Sequence, residues 1–234
     1  MKDSLKGRRL HALAEDAREG GDFLKALEYV DRATFAYQKD SDIVGLSEVQ
    51  SSRQSIFKHL YRKTGDLAFL ILEKHSAIAA VEIAEQSGIK EALAIPYHNL
   101  GKYYFEAKEY INASKYFKKA IENLETYPNN RHSRSSVIAD IRGHQYAAEY
   151  HAGDKTALNR ALDALKELKN SQEDSTYNKN AWVSGAHIRI FQMIARDNLA
   201  LARKHFGEAT TIIGLDKRQI LRKRQLEKLN QPIY

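Results

Sequence analysis

The chain contains no cysteine. Disulfides, thiolate metal ligands and cysteine nucleophiles are therefore excluded. Proline is nearly as scarce, with 3 in 234 residues, and glycine stands at 12. An all-β fold needs many turns, so this poverty of turn formers disfavours it and permits long helices. No apolar run approaches the ~20 residues that cross a bilayer. The opening residues, MKDSLKGRRLHALAED, lack the apolar stretch of a signal peptide. The expectation is a cytoplasmic chain with no membrane insertion. Motifs of catalysis are missing too. There is no HExxH arrangement, no glycine-rich phosphate loop, no GxSxG and no GxGxxG. Of the nine histidines, His144 and His151 share a helical face, but no carboxylate stands at ligand spacing between them. The sequence reads as non-enzymatic, with no catalytic residue, no metal and no cofactor.

What is present is a soluble composition, 43% hydrophobic and 29% charged, with a formal net charge of +7. Part of that charge is local. Residues 214–234 hold Lys217, Arg218, Arg222, Lys223, Arg224 and Lys228 against Asp216 and Glu227. Acidic partners or nucleic acid would suit such a segment, and a solvated helix face explains it as well.

The most informative stretch is YHNLGKYYFEAKEYINASKYFKKAI, Tyr97 to Ile121. From Tyr97, apolar or small residues fall at +3 (Leu100), +4 (Gly101), +7 (Tyr104), +16 (Ala113), +20 (Phe117) and +23 (Ala120). Steps of 3 and 4 keep residues on one helical face, so two helices are implied, joined by a turn at EAKEY. A glycine inside a helix costs about 1 kcal/mol relative to alanine. Gly101 and Ala113 earn their places if they let the two helices approach closely.

The same offsets recur from Leu10, Gln54, Ile141 and Ala186, with GGDF, TGDL, AGDK and RDNL as the turns. The spacings between starting points are 44, 43, 44 and 45 residues. The Leu10 copy is clear. The Gln54 copy places Lys58 and Lys74 at core offsets, and His144 and Gln145 break the Ile141 copy.

The pattern aromatic–x2–Leu–Gly–x2–Tyr…Ala–x3–Phe–x2–Ala resembles the tetratricopeptide repeat. The 43–45-residue period resembles the longer-repeat branch of that family, seen in kinesin light chains and several bacterial signal-sensing regulators. The resemblance implies an all-α fold. It would be a right-handed α-solenoid of about five helix–turn–helix repeats, near 5–40, 43–87, 89–127, 133–169 and 179–213, within one domain spanning 1–234. A last helix near 216–230 would cap the final apolar face. Ser41 or Asp42 is placed to cap the third helix, and Pro96 to kink the fifth or delay its start. The polar segments 126–136 and 170–180 read as inter-repeat loops. Trp182 is expected where the fourth pair meets the fifth. Among the tyrosines, Tyr97 and Tyr104 fall on core offsets, with Tyr103 and Tyr116 available to the surface.

The resemblance also implies a function: a scaffold that binds a protein or peptide in a groove lined by the first helices. Carried over at +1, +5 and +8, the groove positions are His11, Glu15 and Arg18; Ser55, His59 and Arg62; His98, Lys102 and Phe105; Arg142, Tyr146 and Glu149; and His187, Phe191 and Ile194. The basic middle of that set points to an acidic or carboxylate-bearing segment as ligand. Chaperone-tail binders of the family hold a carboxylate with Lys and Asn where this chain has His11 and Glu15, which argues against that activity. Two other classes remain open: a peptide-sensing regulator, and a nucleic-acid binder using the basic C-terminal helix.

Overall fold

The computed structural model describes residues 4–229. It is all-helical, a helical repeat-like architecture with no strand among the described residues. No described helix is long and apolar enough to cross a membrane. Contacts divide the chain into two units, Met1–Tyr127 and Pro128–Tyr234.

The first unit holds three hairpins: α1 (Leu5–Glu19) with α2 (Phe23–Lys39), α3 (Ile43–Thr64) with α4 (Leu67–Gln86), and α5 (Ala94–Glu106) with α6 (Tyr110–Thr126). Each helix packs on its hairpin partner. The hairpins then stack, α2 on α3 and α4 on α5, while the first helices also touch in series, α1 on α3 and α3 on α5. The second unit holds α7 (Ser135–His151) with α8 (Ala157–Asn170), and α9 (Thr176–Ile194) with α10 (Leu199–Gly214). Here α7 and α8 both pack on α9, and α11 (Ile220–Leu229) closes on α9 and α10.

Local chemistry explains the breaks. Gly21 and Gly65 sit in the left-handed region (φ 80° and 74°), which glycine enters without a Cβ penalty. In the third hairpin Lys108 takes the same conformation at φ 61°. The aspartate after each glycine then caps the next helix: Lys25 N–H donates to Asp22 (3.1 Å) and Ala68 N–H to Asp66 (2.9 Å). Asp42, not Ser41, caps α3, receiving the Gly45 N–H at 2.8 Å, while Ser41 occupies the left-handed turn at φ 56°. A short 3₁₀ turn at Lys90–Leu93 precedes α5, so Pro96 falls in the first turn, where its missing N–H has no partner to lose.

The small residues are what repeats. Ala26, Ala113, Ala157 and Ala202 at +16 are fully buried, and so are Ala33, Ala77, Ala120 and Ala209 at +23. Gly101 does bring its helices together, since a Cβ there would lie 2.7 Å from the Phe117 ring.

Several boundaries and placements depart from expectation. Residues 176–180 are helical because Ser175 caps α9, accepting the Asn178 N–H at 3.2 Å. The terminal helix begins at Ile220, not 216, because Asp216 folds back on Arg218 and closes a turn to Gln219 N–H. Its expected last residue, 230, lies outside the described residues. Lys74 is exposed and Lys58 buried, so the α3/α4 core is not the one the offsets imply. Tyr103 is buried, whereas Tyr97 and Tyr104 are partly open. The reason is that α5 has two neighbours. Tyr97 and Tyr104 stack on Tyr116 of α6, while Tyr103 joins Leu100 in a cluster with Ala77 and Val81 of α4. Trp182 lies under the Arg134 guanidinium (5.8 Å to the ring), at the junction of the two hairpins of its unit.

Candidate partner-binding face

In the first unit the faces of α1, α3 and α5 form a polar ladder. Arg8 pairs with Glu48, the His11 ring with the Ser52 hydroxyl (2.6 Å) and with Tyr37 (3.2 Å), and Arg18 with the His59 ring (3.3 Å). Arg62 continues the series to Glu106 of α5. These links join residues about one repeat apart, so the first helices are tied to one another by side chains at matching turns. His59 also stacks on Phe23, with planes 2° apart and centroids at 5.9 Å. Phe105 packs edge-on against Tyr110 (5.4 Å). Lys102 is half-buried on the same helix, close enough to Glu73 to favour its ionised form.

In the second unit, Arg142 pairs with Glu167 (2.9 Å) and lines an open cleft of about 420 Å³ with Ser135, Ile138, Asn170 and Ser171. Tyr146 lies under Arg160 (5.3 Å), which also bridges Glu149 and Asp154. Phe191 packs on Phe206 (5.4 Å).

Two of the expected groove histidines are not displayed at all. His98 is buried, its ring 5.8 Å from Phe117 of α6. His187 is 3% exposed and faces α10, where its Nδ1 lies 2.9 Å from Nδ1 of His205. Ile194 is buried as well. Offset +1 thus points into the hairpin in α5 and α9. The basic charges are also already matched: Arg18 holds Glu15 (2.8 Å) and Glu19 (2.5 Å), Arg62 holds Glu106 and Arg142 holds Glu167. Burial opposes ionisation of Glu15, but the Arg18 guanidinium outweighs it and keeps the carboxyl below its ordinary value. In either unit, an acidic ligand on the first helices has to displace carboxylates already in place.

Sequence offsets missed three polar clusters. Gln54 and Glu73 are fully buried between α3 and α4, the Gln54 amide donating to Glu73 at 2.6 Å, with Lys58 also buried there. Burial pushes the Glu73 carboxyl up, and the charges of Lys58, Arg62 and Lys102 only partly offset it. Arg189 is 8% exposed and donates to Asp140 (2.5 Å) and the His144 ring (2.8 Å). The third is the His187–His205 pair. One signal was available: Glu73, Tyr116, Arg160 and His205 all stand at +19, which in each of these hairpins meets the first helix.

The second helices of the first unit expose apolar side chains. On α4, Leu67 (64% exposed), Ile71 (57%) and Leu72 (43%) are open to solvent. Phe35 of α2 and Ile111 of α6 are exposed too.

No family model matches the chain, and no curated protein matches it. Solved structures do. The crystal structure of BtubC (BKLC) from P. vanneervenii is 19% identical with a TM-score of 0.58, over 97% of this chain and 83% of that one. At that identity the likeness is one of fold.

Proposed function

We propose that the five hairpins belong to one right-handed solenoid of tetratricopeptide-like type, capped by α11, and that the protein is a non-catalytic scaffold for protein or peptide partners. The regular period and the serial packing of first helices within each unit support the architecture. The observation that carries the function is α4. Its first turns leave three large apolar side chains, Leu67, Ile71 and Leu72, open to solvent. Contiguous exposed apolar surface of this kind marks contact sites for other proteins. The first-helix faces of the two units are the lesser candidates, because their arginines already hold carboxylates.

The test is capture of partners from host extract on three baits: the wild type, Leu67→Glu/Ile71→Glu, and Arg62→Glu/Lys102→Glu, each checked for retained helicity. Partners lost only with the α4 variant support the reading. If both variants retain every specific partner of the wild type, neither face is the binding surface and the reading fails.

A further inference from the structure

The two units differ in charge. Residues 128–234 hold 18 of the 37 basic and 11 of the 30 acidic residues, which is the whole net +7; residues 1–127 hold 19 of each. Most basic groups on the first-helix faces are matched by carboxylates, as described. Toward the end of the chain the matching is less complete among the described residues. Arg218 is held by Asp216 (2.6 Å), and Arg222 by the Ala181 carbonyl (3.2 Å) and Gln225. That leaves Lys217, Lys223 and Arg224 exposed and without a carboxylate partner among the described residues, with Arg203 and Lys204 of α10 exposed as well. Glu227 is the one exposed carboxylate on α11.

The way α11 docks fixes which face is offered. Leu226 inserts among Ile188, Ala209 and Ile213, and a Cβ on Gly185 would lie 2.5 Å from the Arg222 guanidinium. Arg222 is thereby committed inward as part of the seat. Lys223 and Arg224 point away from it, and Leu215 is 72% exposed at the turn beside Lys217.

We propose that this α10–α11 surface docks an acidic segment of a partner protein, one that pairs carboxylates with an apolar side chain. The inference rests on the scaffold reading and names the partner's chemistry for the second unit. Charge complementarity is the ground. Carboxylates are favoured over phosphates by two features. Single-stranded nucleic acid is held largely by stacking on aromatic rings, and the nearby Tyr177 ring is covered by Arg218 at 5.0 Å. Leu215 adds an apolar foothold that a phosphate backbone does not use.

The experiment titrates the full chain with three fluorescent probes: a 20-residue glutamate peptide with interspersed leucines, a glutamine-for-glutamate control, and a single-stranded oligonucleotide of matched length. Each is run at 50 and 300 mM salt. The acidic peptide is expected to bind, the control not to, and the affinity to fall at least tenfold at the higher salt. Lys217→Glu/Lys223→Glu/Arg224→Glu should lose at least tenfold, while the same charge change at exposed sites elsewhere, Lys6→Glu/Lys39→Glu/Lys115→Glu, should match the wild type. These positions are exposed, and circular dichroism checks that both triple variants fold. No binding of the acidic peptide, or equal binding by the first triple variant, overturns the inference. Tighter binding of the oligonucleotide also overturns it and gives the surface to nucleic acid. Any of these failures leaves the α4 capture result standing, so the two readings fall separately.

Discussion

Hairpins α3/α4 and α9/α10 share one register and bury opposite chemistry. Both keep a fully buried alanine at +23, Ala77 and Ala209. At +19 the first places Glu73 against Gln54 and Lys58, and the second places His205 against His187. Small residues set how closely the helices approach. What fills the remaining space is then free to vary, provided that each buried polar group finds a partner. One oxygen of Glu73 and Nε2 of His187 have none among the described residues, so both hairpins hold an ionisable group in an unfavourable setting.

The largest effect is expected from removing one side of the charged cluster. Glu73→Ala strips the carboxylate from beside buried Lys58 and leaves the Gln54 amide without its acceptor. Breaking a buried charge pair in this way costs about 3–5 kcal/mol, read as a drop in urea midpoint. Replacing the whole cluster by apolar residues, Gln54→Leu/Lys58→Met/Glu73→Leu, should be neutral or stabilising on the same assay, because the desolvation cost disappears with the charges. If the triple replacement proves as damaging as Glu73→Ala, the cluster stabilises the hairpin and the comparison with α9/α10 loses its point.

The pH responses should run in opposite directions. Burial raises the Glu73 carboxyl, so the unfolded chain releases that proton first. The stability linked to Glu73 is complete below the ordinary 4.5 and is lost as pH rises through the folded-state value. Burial, with Lys169, His205 and Lys204 adding to it, holds His187 down to about 4 from 6.5. Its stability is complete above 6.5 and is lost as pH falls toward 4, by about 3 kcal/mol over that window. His205 is lowered in the same way, with Glu208 partly opposing. Thermal melts from pH 4 to 8 check both: Glu73→Gln should reduce the loss as pH rises, and His187→Gln the loss on the acid side, with the share due to His205 remaining. A His187→Gln profile parallel to the wild type would mean that the imidazole is not buried as described.

Helix positions were legible because they depend on residues a short distance apart. The Gly–Asp turns place a left-handed residue and then a cap, and half of the helix boundaries between Leu5 and Gln86 follow from that alone. The candidate site was less legible. A period marks the face turned to the hairpin partner, but α3, α5 and α9 also pack on the preceding hairpin. Tyr103 and Arg189 are therefore buried where a single hairpin would leave them open. Likewise, the charge of Arg18, Arg62 and Arg142 could be counted in sequence, but their neutralisation depends on which carboxylates the fold brings near. The seat of Tyr37 against Gly7 and Gly45, in two different helices, was equally out of reach.

A last contrast isolates close approach from helix propensity. Gly101 in α5 and Gly207 in α10 are both interior to their helices. A Cβ at Gly101 would meet the Phe117 ring at 2.7 Å, whereas one at Gly207 would meet nothing within 4 Å. Phe117 is fully buried, so its ring has little room to yield. Gly101→Ala should therefore destabilise by about 1–3 kcal/mol, the usual range for overpacking, despite the better helix former. Gly207→Ala has only the propensity gain and should stabilise by up to about 1 kcal/mol. Urea midpoints of the two variants decide it. If both substitutions stabilise, Gly101 is not a packing residue, and the close approach of α5 to α6 does not explain why this glycine sits inside a helix.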